Sequence, residues 1–269
     1  MRPSRNARPA RPVLPVLGLT LALVLSACGQ EGAGSTSDTS DTSEEGSSSP
    51  RAGSERLLVA AETGMERAAS FGFDAAGFYT EDAMEDFRTQ MSDSLQEGEA
   101  DADIQPASCA EPLIAVDWAP LLLDTEAVRV DFGSETFTGT GSLEIAEVDG
   151  AEASERVDEH MDHVATLVES CAEVTMTQME TSYDLTLQGV ELEELEPAGD
   201  DGQGTSAYSR TRSLAGAEED GTIAAQILFT RRDDDVVMVS FIGEPAATSA
   251  EFTAMAESIT DETLEGLED

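Results

Sequence analysis

The chain has no lysine, two histidines, one tryptophan and three cysteines among its 269 residues. Without lysine, its fourteen basic residues are all arginine, set against 56 Asp and Glu for a formal net charge of -42. No cationic surface exists to displace phosphate counterions, which excludes DNA and RNA as partners. Also missing is any apolar run of about 20 residues, the length a membrane-spanning helix needs. What remains is 40% apolar residues, enough for a core once the tails are set aside. The length allows one ordinary domain with appendages, or two small ones. The acidity reads as solubility in a salty or cation-rich exterior, where self-repulsion is screened.

Charge is unevenly placed along the chain. Arg2, Arg5, Arg8 and Arg11 open it, and no Asp or Glu occurs before Cys28. Val13 to Leu25 is apolar, but about 13 residues are too few for a span, and Pro15 and Gly18 weaken it as a permanent helix. Leu25-Ser26-Ala27-Cys28 follows. A basic start, a short apolar stretch and small residues before a cysteine resemble the signal and lipobox of bacterial lipoproteins. The resemblance implies cleavage between Ala27 and Cys28 and attachment of diacylglycerol to the Cys28 thiol, with palmitate-type chains holding the protein at the extracytoplasmic face of the cell membrane. Each buried methylene contributes about 0.8 kcal/mol, and two or more chains hold stably. The alternative is an ordinary secretory signal with a chance cysteine.

Acylation of Cys28 leaves Cys109 and Cys171, an even pair in an oxidising compartment. Their bridge closes a loop of about 62 residues, worth roughly 4 kcal/mol on the chain-entropy model. From Gly29 to Ser54 the chain is mostly Gly, Ser, Thr, Asp and Glu with little to bury, so residues 28–54 read as a lipidated cysteine and flexible tether. A tether of about 26 residues spans roughly 25 to 30 Å on average.

Residues 55–269 are expected to form a single extracytoplasmic α+β domain. Apolar spacing of three and four predicts helices over Leu57 to Ser70, Ala83 to Leu95 and Cys109 to Leu123. It predicts another ending at Cys171, with Val157, His160, Met161, Val164, Leu167 and Val168 as one apolar stripe. Glu97 to Asp103 reads as a loop. Val128 to Phe132 and Ser142 to Val148 read as a hairpin. After Cys171 the period changes to two, giving candidate strands Val174 to Met179, Tyr183 to Leu192, Thr205 to Leu214, Thr222 to Arg231 and Val236 to Ile242. Short turns between them favour an antiparallel meander. A last helix enters at Thr248, with Thr248 and Glu251 as a capping box. The expected fold is an antiparallel β-sheet with helices packed on one face and one disulfide.

The search for chemistry is brief. His160 and His163, flanked by Glu159 and Asp162, have a spacing that could offer two imidazoles to one metal, yet no further histidine or free thiol completes a zinc site. Asp200-Asp201 and Asp233-Asp234-Asp235 could offer oxygens to calcium, without EF-hand spacing. There is no Gly-x-Ser-x-Gly elbow and no phosphate-cradling loop. Trp118 and Phe132 read as core. The expectation is therefore a non-enzymatic protein, with no cofactor and no metal.

Ser108-Cys109-Ala110 ahead of a strand pair, a helix ending in Cys171, and strands Ala224 to Arg231 and Val236 to Ser240 before the last helix resemble the PknH-like extracellular sensor domains of actinobacterial envelope proteins. That family has an α+β sandwich with a cleft for an extracellular ligand; it carries two disulfides where this chain can form one. The resemblance implies a sensor-like binding domain whose ligand is an envelope lipid, a glycan fragment or a partner protein. The alternatives are an envelope lipid carrier with a hydrophobic cavity, or an envelope hydrolase built around His160 and His163.

Overall fold

The computed structural model describes residues 51–199, 202–216 and 221–268, with 94–101 by backbone alone. The first helix, α1 (Glu55–Ser70), starts where the Ser54 hydroxyl accepts from Leu57 N at 3.4 Å, satisfying one of the orphan amides of a helix start. Strand β1 (Ala75–Phe78) and helix α2 (Glu81–Asp101, capped by Thr80) follow. Strand β2 (Ala102–Gln105) leads to helix α3 (Ala110–Ala115). Then come β3 (Val128–Gly133), β4 (Gly139–Glu147) and α4 (Gly150–Ser170). Five strands succeed one another: β5 (Glu173–Gln178), β6 (Thr181–Gly189), β7 (Gly204–Leu214), β8 (Ile223–Arg232) and β9 (Asp235–Gly243). Helix α5 (Ala250–Glu268) ends the fold.

All nine strands join one antiparallel sheet in the order β1-β3-β4-β9-β8-β7-β6-β5-β2. The meander expected after Cys171 is continuous from β5 to β9. Strand β9 then joins the β3–β4 hairpin, with Leu143 opposite Val239 and Val239 opposite Leu228. A one-residue slip there would turn every side chain to the other face.

The α+β class, the antiparallel sheet and the single bridge are as expected, but the helices cover both faces of the sheet rather than one. The central strands require this. Along β9, Val237, Val239 and Phe241 face one core while Val236 and Met238 face another. Strand β8 divides likewise, with Ala224 and Leu228 on one side and Ala225, Ile227 and Phe229 on the other. Helices α1 and α5 cover the first face through Leu57, Ala61, Phe252 and Ile259. Helices α2, α3 and α4 cover the second through Met84, Leu113, Val157 and Leu167.

Other expectations need correction. Residues 97–103 are not a loop: α2 runs on to Asp101 and the chain passes directly into β2. The helix expected over Cys109 to Leu123 is broken into a 3-10 turn (Ala107–Cys109), the short α3 and a second 3-10 turn (Pro120–Leu122). Ala119, before Pro120, is extended (φ -144, ψ 148), since proline crowds its predecessor out of the helical region. Thr248 does not cap the last helix. It closes a 3-10 turn (Pro245–Thr248), its hydroxyl donating to Pro245 O at 3.1 Å, and the first α5 amide bond runs from Thr253 N to Ser249 O.

Candidate functional site

The site is assembled on α4. Val157, His160, Met161, Val164 and Leu167 are its buried residues, so the apolar stripe read from sequence includes one imidazole. His160 is 3% exposed, and neither ring nitrogen has a hydrogen-bond partner. Its ring centroid lies 5.1 Å from that of Trp118 and 4.7 Å from that of Phe229. Burial among these rings, helped by the neighbouring His163, pushes the His160 pKa down to about 4, because a desolvated cation is disfavoured. The imidazole is neutral at pH 7.

A cavity of about 670 Å³ opens over this imidazole. Helix α4 supplies Arg156, Glu159, His160 and His163; α3 supplies Glu111, Ile114 and Ala115; Trp118, Leu122 and Ser92 complete the wall. Trp118, expected in the core, is thus half-buried on the cavity wall, while Phe132 does lie in the core at 2% exposed. Arg156 is held by Glu152 at 3.0 Å. The bridge between Cys109 and Cys171, with Cα atoms 5.9 Å apart, ties the start of α3 to the end of α4, so two walls of the cavity are covalently linked.

The same face carries a buried charge pair. Glu144, 1% exposed, pairs with Arg129. Arg129 also reaches Asp131 at 2.8 Å and lies over the Phe87 ring, 4.3 Å from its centroid. Tyr79 donates to Asp131 Oδ2 at 2.9 Å. Burial raises the Glu144 pKa above the usual carboxylate range although Arg129 opposes the shift. These groups join β3, β4 and α2 beside the cavity and do not line it. A second groove, of about 920 Å³, runs between α4 and the segment after β6, edged by Asp158, Asp162, Glu169 and Glu191.

The remaining sequence candidates are dispersed. Ala27 and Cys28 lie outside the described residues, as do Asp200 and Asp201. Asp233 and Asp234 form the two-residue turn between β8 and β9, where Asp233 adopts a left-handed φ of 55°. Asp235 is engaged by Arg56, which reaches its carboxylate at 2.6 and 3.0 Å. Among the described residues no group of three or more His, Cys, Asp or Glu is placed to hold a metal ion. His160, His163, Glu159 and Asp162 share a helix without converging on one point of ligation. No acid, base or nucleophile lies within hydrogen-bonding reach of the His160 nitrogens in the described residues.

Two features escape a linear reading. Glu257 on α5 is 1% exposed and accepts from the backbone amides of Glu193, Glu194 and Leu195 at 2.9, 2.9 and 3.1 Å. It pins the segment between β6 and β7, yet nothing distinguishes it from 55 other acids in the sequence. The arginines are the second. From Arg51 onward each has a defined role: seven are ion-paired, Arg67 bonds Ser258, Arg88 donates to three carbonyls and Arg212 lies over Tyr183.

No protein family matches the chain, and no curated protein matches it. Among solved structures it is weakly similar to the extracellular domain of PknH from Mycobacterium tuberculosis, with a TM-score of 0.37 and 13% identity over 61% of this chain and 78% of that one. A likeness at that level is no evidence of a shared ligand or role.

Proposed function

We propose that the chain is an exported lipoprotein, acylated at Cys28 after removal of residues 1–27 and held at the extracytoplasmic face of the cell membrane. Residues 28–50 are its tether, and a single binding domain without enzymatic activity follows, in which Arg51 pairs with Glu62 and Ala52 is buried. The observation that carries this reading is the pairing of Cys109 with Cys171. Of three cysteine thiols, it leaves only the one in Leu25-Ser26-Ala27-Cys28. A stable bridge also suits an oxidising compartment better than a reducing one. The cavity over His160 supports a binding role, since concave sites with a few convergent polar groups are where small ligands lodge.

Mass spectrometry of the protein recovered from membranes tests the anchor. The expected mature N-terminus is a diacylglyceryl-modified Cys28, with Cys28→Ala released from the membrane fraction or retained as the uncleaved precursor. Native protein that begins at Met1, carries no acyl group and resides in the cytosol would overturn the proposal.

A further inference from the structure

The cavity between α3 and α4 brings an aromatic surface and unspent negative charge together. Trp118, the only tryptophan, is half-buried on its wall. The indole rests against the rings of His160 and Phe229, at centroid separations of 5.1 and 5.8 Å, while its remaining surface lines the cavity. Glu111 of α3 and Glu159 of α4 line the same space. Among the described residues neither takes part in an ion pair. The bridge between Cys109 and Cys171 links the two helices that carry them, so platform and carboxylates are arranged before any ligand arrives.

Resting on the reading of this domain as a binding module, we infer that the cavity takes a small alkylated ammonium ion, seated against Trp118 with Glu111 and Glu159 as its countercharge. The face of an indole carries the negative part of the ring quadrupole and is the best aromatic partner for a cation. His160 serves here as a neutral ring behind the indole, not as a hydrogen-bonding group. The one arginine on the wall, Arg156, is held by Glu152 at 3.0 Å. Other classes fit less well. An anion would meet both carboxylates, and a neutral molecule makes no use of them. A metal ion finds no ligating cluster among the described residues and gains nothing from Ile114 and Leu122 on the wall. A primary ammonium is strongly hydrated and carries N–H donors that an indole face does not satisfy. Methyl groups on nitrogen remove those donors and pack on the apolar wall. The net charge of -42 raises the local concentration of any cation, and about 670 Å³ falls in the range of small-molecule sites.

Because Trp118 is the only tryptophan, its fluorescence reports on this wall alone. The full chain would be titrated with choline and with tetramethylammonium. Parallel titrations would use 3,3-dimethylbutan-1-ol (the uncharged isostere of choline), citrate, and sodium chloride at matched ionic strength. A saturable change with at least one of the two ammonium ions is expected, with the isostere binding about tenfold more weakly. By calorimetry, Trp118→Leu is expected to lower the affinity about tenfold, and Glu111→Gln and Glu159→Gln about threefold each. Both glutamates are exposed, so their variants keep the test decisive if Trp118→Leu does not fold. Equal affinity for choline and its isostere, a signal reproduced by sodium chloride, or an affinity unchanged in both glutamine variants overturns the inference. A response to the isostere or to citrate alone removes the cation and leaves a binding domain of another specificity. Silence toward the ammonium ions, the isostere and citrate removes the binding reading as well.

Discussion

The two faces of the sheet are built to different standards. Beneath α1 and α5, five phenylalanines (Phe73, Phe132, Phe137, Phe241 and Phe252) contact one another at centroid separations from 4.8 to 6.2 Å, many of them edge to face. The helices approach so closely that a Cβ on Gly64 would fall 2.1 Å from Thr263 Oγ1. The opposite face is covered by two long helices, α2 and α4, together with the short, proline-containing α3. It carries the disulfide, encloses a buried Arg–Glu pair and a bare imidazole, and opens into a cavity. One layer stores stability; the other uses some of it to hold a site. This is the usual relation between a rigid scaffold and the strained or incomplete groups it supports.

The sharpest way to break this comparison is Phe241→Ala. Phe241 is fully buried and touches four other rings, so urea denaturation should show a loss of about 4 kcal/mol. A loss below about 1 kcal/mol would mean that the aromatic layer is no stability store. Next comes removal of the bridge by Cys109→Ser with Cys171→Ser. The separation of 62 residues predicts a loss of about 4 kcal/mol at most. Hydrogen exchange should accelerate chiefly in α3 and α4; equal acceleration in α1 and α5 would erase the distinction between the faces.

The smallest effect is that of pH. His160 titrates near 4 in the fold against 6.5 in the open chain, so its folded pKa is the lower of the two. Above pH 6.5 the ring is neutral in both states and has no influence. As pH falls from 6.5 toward 4, the unfolded chain takes up a proton that the folded one refuses. Stability then declines by up to about 3 kcal/mol. Glu144, whose pKa is raised, acts with the opposite sign, so the wild-type melting curve alone mixes the two. The difference between wild type and His160→Phe isolates the histidine. Melting temperatures that stay parallel across this window would show that the imidazole is protonated in place.

Much of this was legible in the linear chain, and the reasons differ by element. The stripe on α4 and the alternation through β5 to β9 are periodic signals, which survive without any tertiary knowledge. Strand β8, IAAQILFTRR, also carried a cue to helices on both faces, because a near-continuous apolar run marks a strand covered twice. The edge strands gave no such cue. Ala75, Ala76 and Gly77 are small and exposed, so β1 exists only through its pairing with β3. His160 was visible as a polar residue on an apolar stripe. Its partnerless state, and the turning of Trp118 toward the cavity, depend on how α3 breaks and docks, which no local pattern records.

The full engagement of the arginines has a consequence at long range. Among the described residues every arginine is engaged by a neighbouring acid, hydroxyl, carbonyl or ring, and the acids far outnumber them. The field of the molecule is therefore of one sign, falling away over about 8 Å at physiological ionic strength. Copies of the protein keep their distance from one another, and negatively charged solutes are slowed on approach. Uncharged solutes feel no such barrier and arrive at the ordinary diffusive rate.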